Sequence, residues 1–209
     1  MKVSSKRVVL MSLAAATLVA GLSACVPLVV GGGFASGVMV AMDRRTSGAQ
    51  LEDQGIELRG ANRLKEALGE NARVNVTSYN RQVLLTGEVA RTEDIQRAEQ
   101  IIAKVENVNS VVNDLAVGIP AALTQRSTDL LITSKVKASL IDAKDLQANA
   151  FKVVTERNVV YLMGRVTPRE ANRATEIARG VKDVAKVVRV FETLTEEELA
   201  RLGQQPPAK

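Results

Sequence analysis

The sequence predicts an α+β protein built from two tandem copies of one small module, each running helix, strand, strand, helix, strand. Three observations predict it. Val83-Leu84-Leu85-Thr86-Gly87 recurs as Val160-Tyr161-Leu162-Met163-Gly164, and Val74-Asn75-Val76-Thr77 as Phe151-Lys152-Val153-Val154, both 77 residues on. After a one-residue slip, Ala98, Ile101, Ile102 and Val105 fall on Ala174, Ile177, Ala178 and Val181, and Val108, Val111 and Val112 fall on Val184, Val187 and Val188. Within each copy the apolar period changes from helical to alternating and back, which marks the element borders.

The elements follow in order. Leu64 and Leu68, with Gly60 and Ala61, make one face of a first helix, as do Ile132, Val136 and Leu140 in the second copy. Matching Leu64 and Leu68 to Val136 and Leu140 gives an offset of 72, so the second copy is expected to hold five extra residues in its first loop, 141–150. Residues 73–78 alternate as a strand, Asn80 suits a turn with positive φ, and residues 83–89 return as the second strand. Thr92 opens the next helix, and Thr167-Pro168-Arg169-Glu170 has capping-box spacing with Pro in the first helical turn. A last strand covers residues 110–117 and 185–192. The hairpin must be antiparallel, and the strand-helix-strand step favours a right-handed crossover between parallel strands. Each module is therefore expected to be a mixed three-stranded sheet with two helices on one face. At ~65–70 residues a module is near the lower limit for a self-sufficient core, so docking of the two on each other is compatible with the sequence without being required by it.

Composition removes much chemistry. Among 209 residues there is no His, no Trp and one Cys, so His-based nucleophile activation, His-ligated metal and an internal disulfide are excluded. Five aromatics (Phe34, Tyr79, Phe151, Tyr161 and Phe191) offer little platform for stacking bases, and no nucleic-acid partner is expected. Glu88, Glu93 and Asp94 lie at a strand exit and helix start, and dipole complementation explains the latter two. No phosphate loop, metal-ligand spacing or nucleophile elbow occurs, so the protein is not expected to be an enzyme.

The N-terminus points to a compartment. Lys2, Lys6 and Arg7 precede an apolar run over residues 8–20, and Leu22-Ser23-Ala24-Cys25 ends it, the pattern of a secretory signal with a bacterial lipobox. Cys25 is expected to become the first mature residue and to carry acyl chains, the one covalent lipid, with no other cofactor. The other reading makes it a buried Cys in a membrane helix, since the uncharged stretch continues to Met42. Gly31, Gly32, Gly33 and Gly37 weigh against such a helix at ~1 kcal/mol each. Val26 rather than Asp follows the Cys, which directs bacterial lipoproteins to the outer membrane, facing the periplasm. The expected organisation is a signal peptide at 1–24, a lipidated Gly-rich linker at 25–53, modules at 54–119 and 126–195 joined by 120–125, and a polar tail at 196–209.

At these residues the chain resembles the dual BON-domain outer-membrane lipoproteins. The lipobox, the Gly-rich lead, Asp43-Arg44-Arg45-Thr46-Ser47-Gly48, the repeated Val-x6-Val-x-Leu-x-Gly strand pair and the Val-x-x-Val-x-x-Val-Val endings carry the likeness over nearly all of residues 22–193. The resemblance implies a role in outer-membrane integrity and binding of anionic phospholipid, such as phosphatidylglycerol or cardiolipin, through the second module. Family members often carry a bulky aromatic where this chain has Leu131.

Charge and helix patterning agree on the same module. The formal charge is +5. Three bases leave with residues 1–24, so the mature chain is 25 minus 23, or +2; the first module has 8 bases and 9 acids, the second 13 and 8. Around the first helix of module one, Arg59, Asn62, Arg63 and Glu66 make a solvated outer face. In module two the corresponding face holds Leu130, Leu131, Ser134, Ala138 and Ile141, flanked by Lys135 and Lys137, which suits a helix that enters a lipid interface. Two other readings remain open at this point: that Leu130, Leu131 and Ile141 pack on module one or on the following loop, and that the modules are non-catalytic adaptors for outer-membrane assembly or cell-wall machinery.

Overall fold

The computed structural model describes residues 43–202; the signal sequence, Cys25 and the Gly-rich lead lie outside them. Module one contains α1 (Ser47–Leu68), β1 (Arg73–Tyr79), β2 (Gln82–Val89), α2 (Thr92–Ala103) and β3 (Ser110–Val117). Module two contains α3 (Leu123–Asp142), a 3-10 turn at Ala148–Ala150, β4 (Phe151–Glu156), β5 (Val159–Val166), α4 (Pro168–Gly180) and β6 (Lys186–Thr193), and α5 (Glu196–Leu202) follows. In each sheet the second strand is central, antiparallel to the first and parallel to the third. Val83, Leu85 and Val89 pack with Ile56, Leu64, Ala98 and Ile102, while Val160, Leu162 and Val166 pack with Ile132, Val136, Leu140, Ala174 and Ala178. The helices thus cover one face of each sheet, as the sequence predicts.

Both ends of the folded body extend further than the sequence suggests. Residues 47–53, assigned to the linker, are the first two turns of α1, whose N-cap Thr46 accepts a bond from the Ala49 amide at 3.1 Å. The tail assignment at 196–209 is corrected in its first half. Thr195 Oγ1 accepts from the Glu198 amide at 3.1 Å and the Glu198 carboxylate accepts from the Thr195 amide at 2.8 Å, so a capping box starts α5.

The repeat is in closer register than the sequence comparison implies. The buried side of α1 is Asp53, Ile56, Gly60 and Leu64; that of α3 is Asp129, Ile132, Val136 and Leu140. All four pairs lie 76 residues apart, not 72, so the second copy has one extra residue before its hairpin rather than five. A slip of four residues is about one helical turn and leaves an apolar face unchanged, which is why leucines alone misplaced it. The aspartates settle the register because they do the same work twice. Asp53 accepts from the amides of Asn80 and Arg81, both at 2.8 Å, and Asp129 from those of Arg157 and Asn158 at 3.0 and 2.9 Å. These are the loop residues of the two hairpins, with φ of 50° and 66° in one and 50° and 61° in the other. Two consecutive positive φ values define the turn that matches strand twist, and the buried carboxylate offsets their cost in residues other than Gly.

The faces of the sheets turned away from the helices meet each other. Tyr79, Leu84, Tyr161, Met163 and Val190 form a third buried cluster drawn from both modules, so residues 43–202 stack as helices, sheet, sheet, helices. Around this seam Arg73 binds Glu88 at 3.0 Å and also pairs with Glu156, Asn75 reaches Glu156 at 2.9 Å, the Tyr161 hydroxyl donates to Asp114, and Lys152 binds Glu57 at 2.7 Å. Burial raises the Tyr161 phenol pKa, helped by Asp114. Gly87, in the middle of β2, has φ +118°, and a Cβ there would lie 1.9 Å from the Arg73 carbonyl oxygen; no other residue fits.

Candidate functional site

Residues 43–46 clasp the two modules together. Arg44, 6 % exposed, places both guanidinium ends on Glu170 at 2.8 and 2.7 Å and reaches the Arg165 carbonyl at 2.8 Å. Glu170 is also the third residue of α4, where its carboxylate accepts from the Thr167 amide at 3.0 Å and completes the predicted capping box. Arg45 turns the other way, binding Asp43 at 2.6 Å and Asp53 at 2.7 Å, with its guanidinium 4.2 Å from the centre of the Tyr79 ring. Burial opposes ionisation of Glu170 and Asp53. Arg44 and the Thr167 amide outweigh it for Glu170, as do Ser78, Arg45 and the turn amides for Asp53, so both carboxyls sit below their ordinary range. Burial pushes the Tyr79 phenol up to about 12.

α3 lies on the outside of module two. Ile132, Val136 and Leu140 are buried at or below 1 % exposure, and this fixes the rotation of the helix. Leu130, Leu131 and Ile141 therefore point outward at 69, 62 and 68 % exposure, with Ser134, Lys135, Lys137 and Ala138 exposed among them. Neither module one nor the following loop covers these residues, because module docking uses the opposite faces of the sheets. At ~100° per residue, Leu123, Leu130, Ser134 and Ile141 lie within about 40° of one line. Lys135 Nζ is 3.4 Å from Asp183, while Arg126 and Lys137 make no ion pair among the described residues. Asp142 is the only exposed acid of the helix. Three more exposed apolar residues precede or begin α3: Val117 at 51 %, Ile119 at 89 % and Leu123 at 73 %. Sequence reasoning missed Leu123 because 120–125 reads as a linker, although it is on the same helical face as Leu130, and it assigned Val117 and Ile119 to the end of the first module.

The first helices of the two modules differ less in their outer faces than the sequence suggests. α1 also exposes Leu51 and Leu58, at 70 and 65 %. Its basic residues are paired, however, Arg59 with Glu52 at 2.6 Å and Lys65 with Glu70 at 3.3 Å. What separates α3 is unneutralised positive charge beside exposed leucines. Among the described residues no helix is long and apolar enough to cross a membrane and no cluster of potential metal ligands occurs.

Two docked modules of this topology, each opened by a helix that ties down its own hairpin, define a tandem module of one known class. The BON domain family matches residues 59–119 and again 128–194, and the chain belongs to that family. It is similar to the outer membrane lipoprotein DolP of Haemophilus influenzae, with 37 % identity over 175 residues, 83 % of this chain and 90 % of that protein. A 21 kDa hemolysin of Actinobacillus pleuropneumoniae is 36 % identical over 152 residues, 72 % of this chain and 78 % of that protein. Among solved structures, the type III secretion protein CdsD of Chlamydia trachomatis matches 71 % of this chain and 99 % of its own at 12 % identity and a TM-score of 0.29.

Proposed function

We propose that the protein is an outer-membrane lipoprotein, anchored by acyl chains on Cys25 and facing the periplasm, whose second BON module binds anionic phospholipid through the outer face of α3 and so supports envelope integrity. The observation that carries this reading is the row of exposed Leu130, Leu131 and Ile141 beside Lys135, Lys137 and Arg126. Near an anionic surface each such base contributes ~1 kcal/mol, attenuated by salt. The leucines then add burial at the headgroup level, which charge alone does not supply. The outer-membrane assignment draws on the lipobox, on Val26 and on the similarity to a protein named as an outer membrane lipoprotein.

The test is flotation of the mature chain, with Cys25→Ala to remove acylation, on vesicles with and without phosphatidylglycerol or cardiolipin. The isolated second module is the wrong material, since separation would bare Tyr161, Met163 and Val190. The chain is expected to float only with anionic vesicles and to stay behind when Leu131→Glu and Lys135→Glu are combined. Equal flotation on neutral vesicles, or no effect of the double variant, overturns the reading in favour of a protein-binding adaptor.

A further inference from the structure

The positive charge of module two is not concentrated on α3, which carries three bases and two acids. Much of it appears on comparing the two copies at the offset of 76 residues that aligns α2 with α4 and β3 with β6. Glu93, Ala103, Glu106, Ser110 and Asn113 become Arg169, Arg179, Lys182, Lys186 and Arg189, so two acids and no base give way to five bases, all exposed. The four acids between Pro168 and Thr193 are committed elsewhere: Glu170 to Arg44, Glu176 to Arg173 at 4.0 Å, Asp183 to Lys135 at 3.4 Å and Glu192 to Arg165 at 2.9 Å. None of the five bases has an ion-pair partner among the described residues, and Glu196, Glu197 and Glu198 of α5 do not supply one.

Two bonds fix the side of α4 on which the charge lies. Arg173 donates to Asp145, in the loop after α3, at 2.9 Å, and Asn172 accepts from Arg189 of β6 at 2.9 Å. At ~100° per residue Arg179 lies about 20° from Asn172, whereas Arg173 is about 100° away. The flank toward α3 is therefore neutralised and the flank toward β6 is not. β6 is an outer strand of its sheet, bonded to β5 alone, and no large apolar side chain of α4 or β6 is exposed.

We infer that this flank and the free edge of β6 form a docking surface for an extended, acidic segment of a partner protein, which adds to the sheet as a further strand. The edge supplies main-chain hydrogen bonds, and the guanidinium groups of Arg179 and Arg189 offer forked donors to carboxylates. A second copy of this chain is a poor occupant, because pairing β6 with β6 would crowd the bases of both copies onto one short ladder. A bilayer is also poorly served, since this surface has nothing apolar to insert and lies on the side of α4 away from α3. The surface is separate from the outer face of α3, so its failure leaves the lipid-binding reading untouched.

The probe is a fluorescein-labelled peptide of about ten residues in which Glu alternates with Thr, since Thr favours strands and alternation puts every carboxylate on one face. Fluorescence anisotropy with the mature Cys25→Ala chain is expected to show saturable binding that weakens with salt, with backbone amide shifts at residues 186–193. Arg179→Glu with Arg189→Glu, both exposed and checked for folding by circular dichroism, is expected to weaken binding at least about tenfold, while Leu131→Glu with Lys135→Glu leaves it unchanged. A peptide with Pro in place of alternate Thr residues keeps the charge but cannot complete the ladder, and is expected to bind at least about tenfold more weakly. No binding of the alternating peptide, equal binding of the Pro-containing one, or amide shifts confined to residues outside α4 and β6 overturn the proposal. So does a loss of flotation on phosphatidylglycerol vesicles by the Arg179→Glu, Arg189→Glu variant as complete as that of Leu131→Glu with Lys135→Glu, which would assign these bases to the bilayer.

Discussion

Replacing Arg44 by Met should open the clasp between the tether and module two. The guanidinium makes two bonds to Glu170, one to the Arg165 carbonyl and a longer one to Gln147 Oε1, and both members of the ion pair are nearly inaccessible, at 6 and 5 %. Met keeps much of the volume and removes the charge. Glu170 is then left buried with only its cap to Thr167, and breaking one side of such a pair costs about 3–5 kcal/mol. In urea unfolding of the mature Cys25→Ala chain, with a slope of about 1–3 kcal/mol per molar, the midpoint should fall by at least about 1 M without a change in slope. Adding Glu170→Gln should recover part of the loss, because Gln can still serve the capping box while no charge remains buried. A single Arg44→Met variant within about 0.5 kcal/mol of the parent would refute the claim that the clasp is part of the fold, as would a double variant less stable than the single one.

Gly87→Ala should prevent folding of module one or destabilise it by more than about 3 kcal/mol, since the added Cβ meets the Arg73 carbonyl at 1.9 Å and the backbone is at φ +118°; a soluble, cooperatively melting variant would contradict this. Acid should weaken the clasp and the first hairpin together. Asp53 and Glu170 titrate below their ordinary values when folded, so they bind fewer protons than the unfolded chain does. Their contribution is complete above the unfolded carboxylate pKa near ~4 and is lost as the pH falls through the folded values. The urea midpoint is therefore expected to fall with pH below about 4, and less steeply for Asp53→Asn, which starts lower; identical pH profiles for the two would count against it.

Much of the architecture was legible in the sequence because it is written twice. The strand pairs, the Asn80 turn, the Thr167 capping box and the buried row Ile132, Val136 and Leu140 carry local signals that a second copy reinforces. Module docking was also encoded, in a form that alternation cannot express. Val83-Leu84-Leu85 and Val160-Tyr161-Leu162-Met163 are continuous apolar runs, as expected of strands buried on both faces, and the faces carrying Leu84, Tyr161 and Met163 close the seam. The roles of Asp53, Asp129, Arg44 and Glu88 were not legible. Each is a charged residue whose partner is distant in the chain, and Arg44 and Glu170 are separated by 126 positions. On the candidate surface, Leu130, Leu131 and Ile141 followed from the helical period, whereas Leu123 required knowing where the helix begins.

The central claim is that α3, rather than α1, is the lipid-facing helix. Backbone amide shifts of the mature Cys25→Ala chain, followed while phosphatidylglycerol micelles are added, test it most directly. Residues 123–141 should move progressively, with those around Leu51 and Leu58 and those in the seam around Tyr161 staying in place. Shifts confined to α1, or spread evenly over both helix layers, would contradict it.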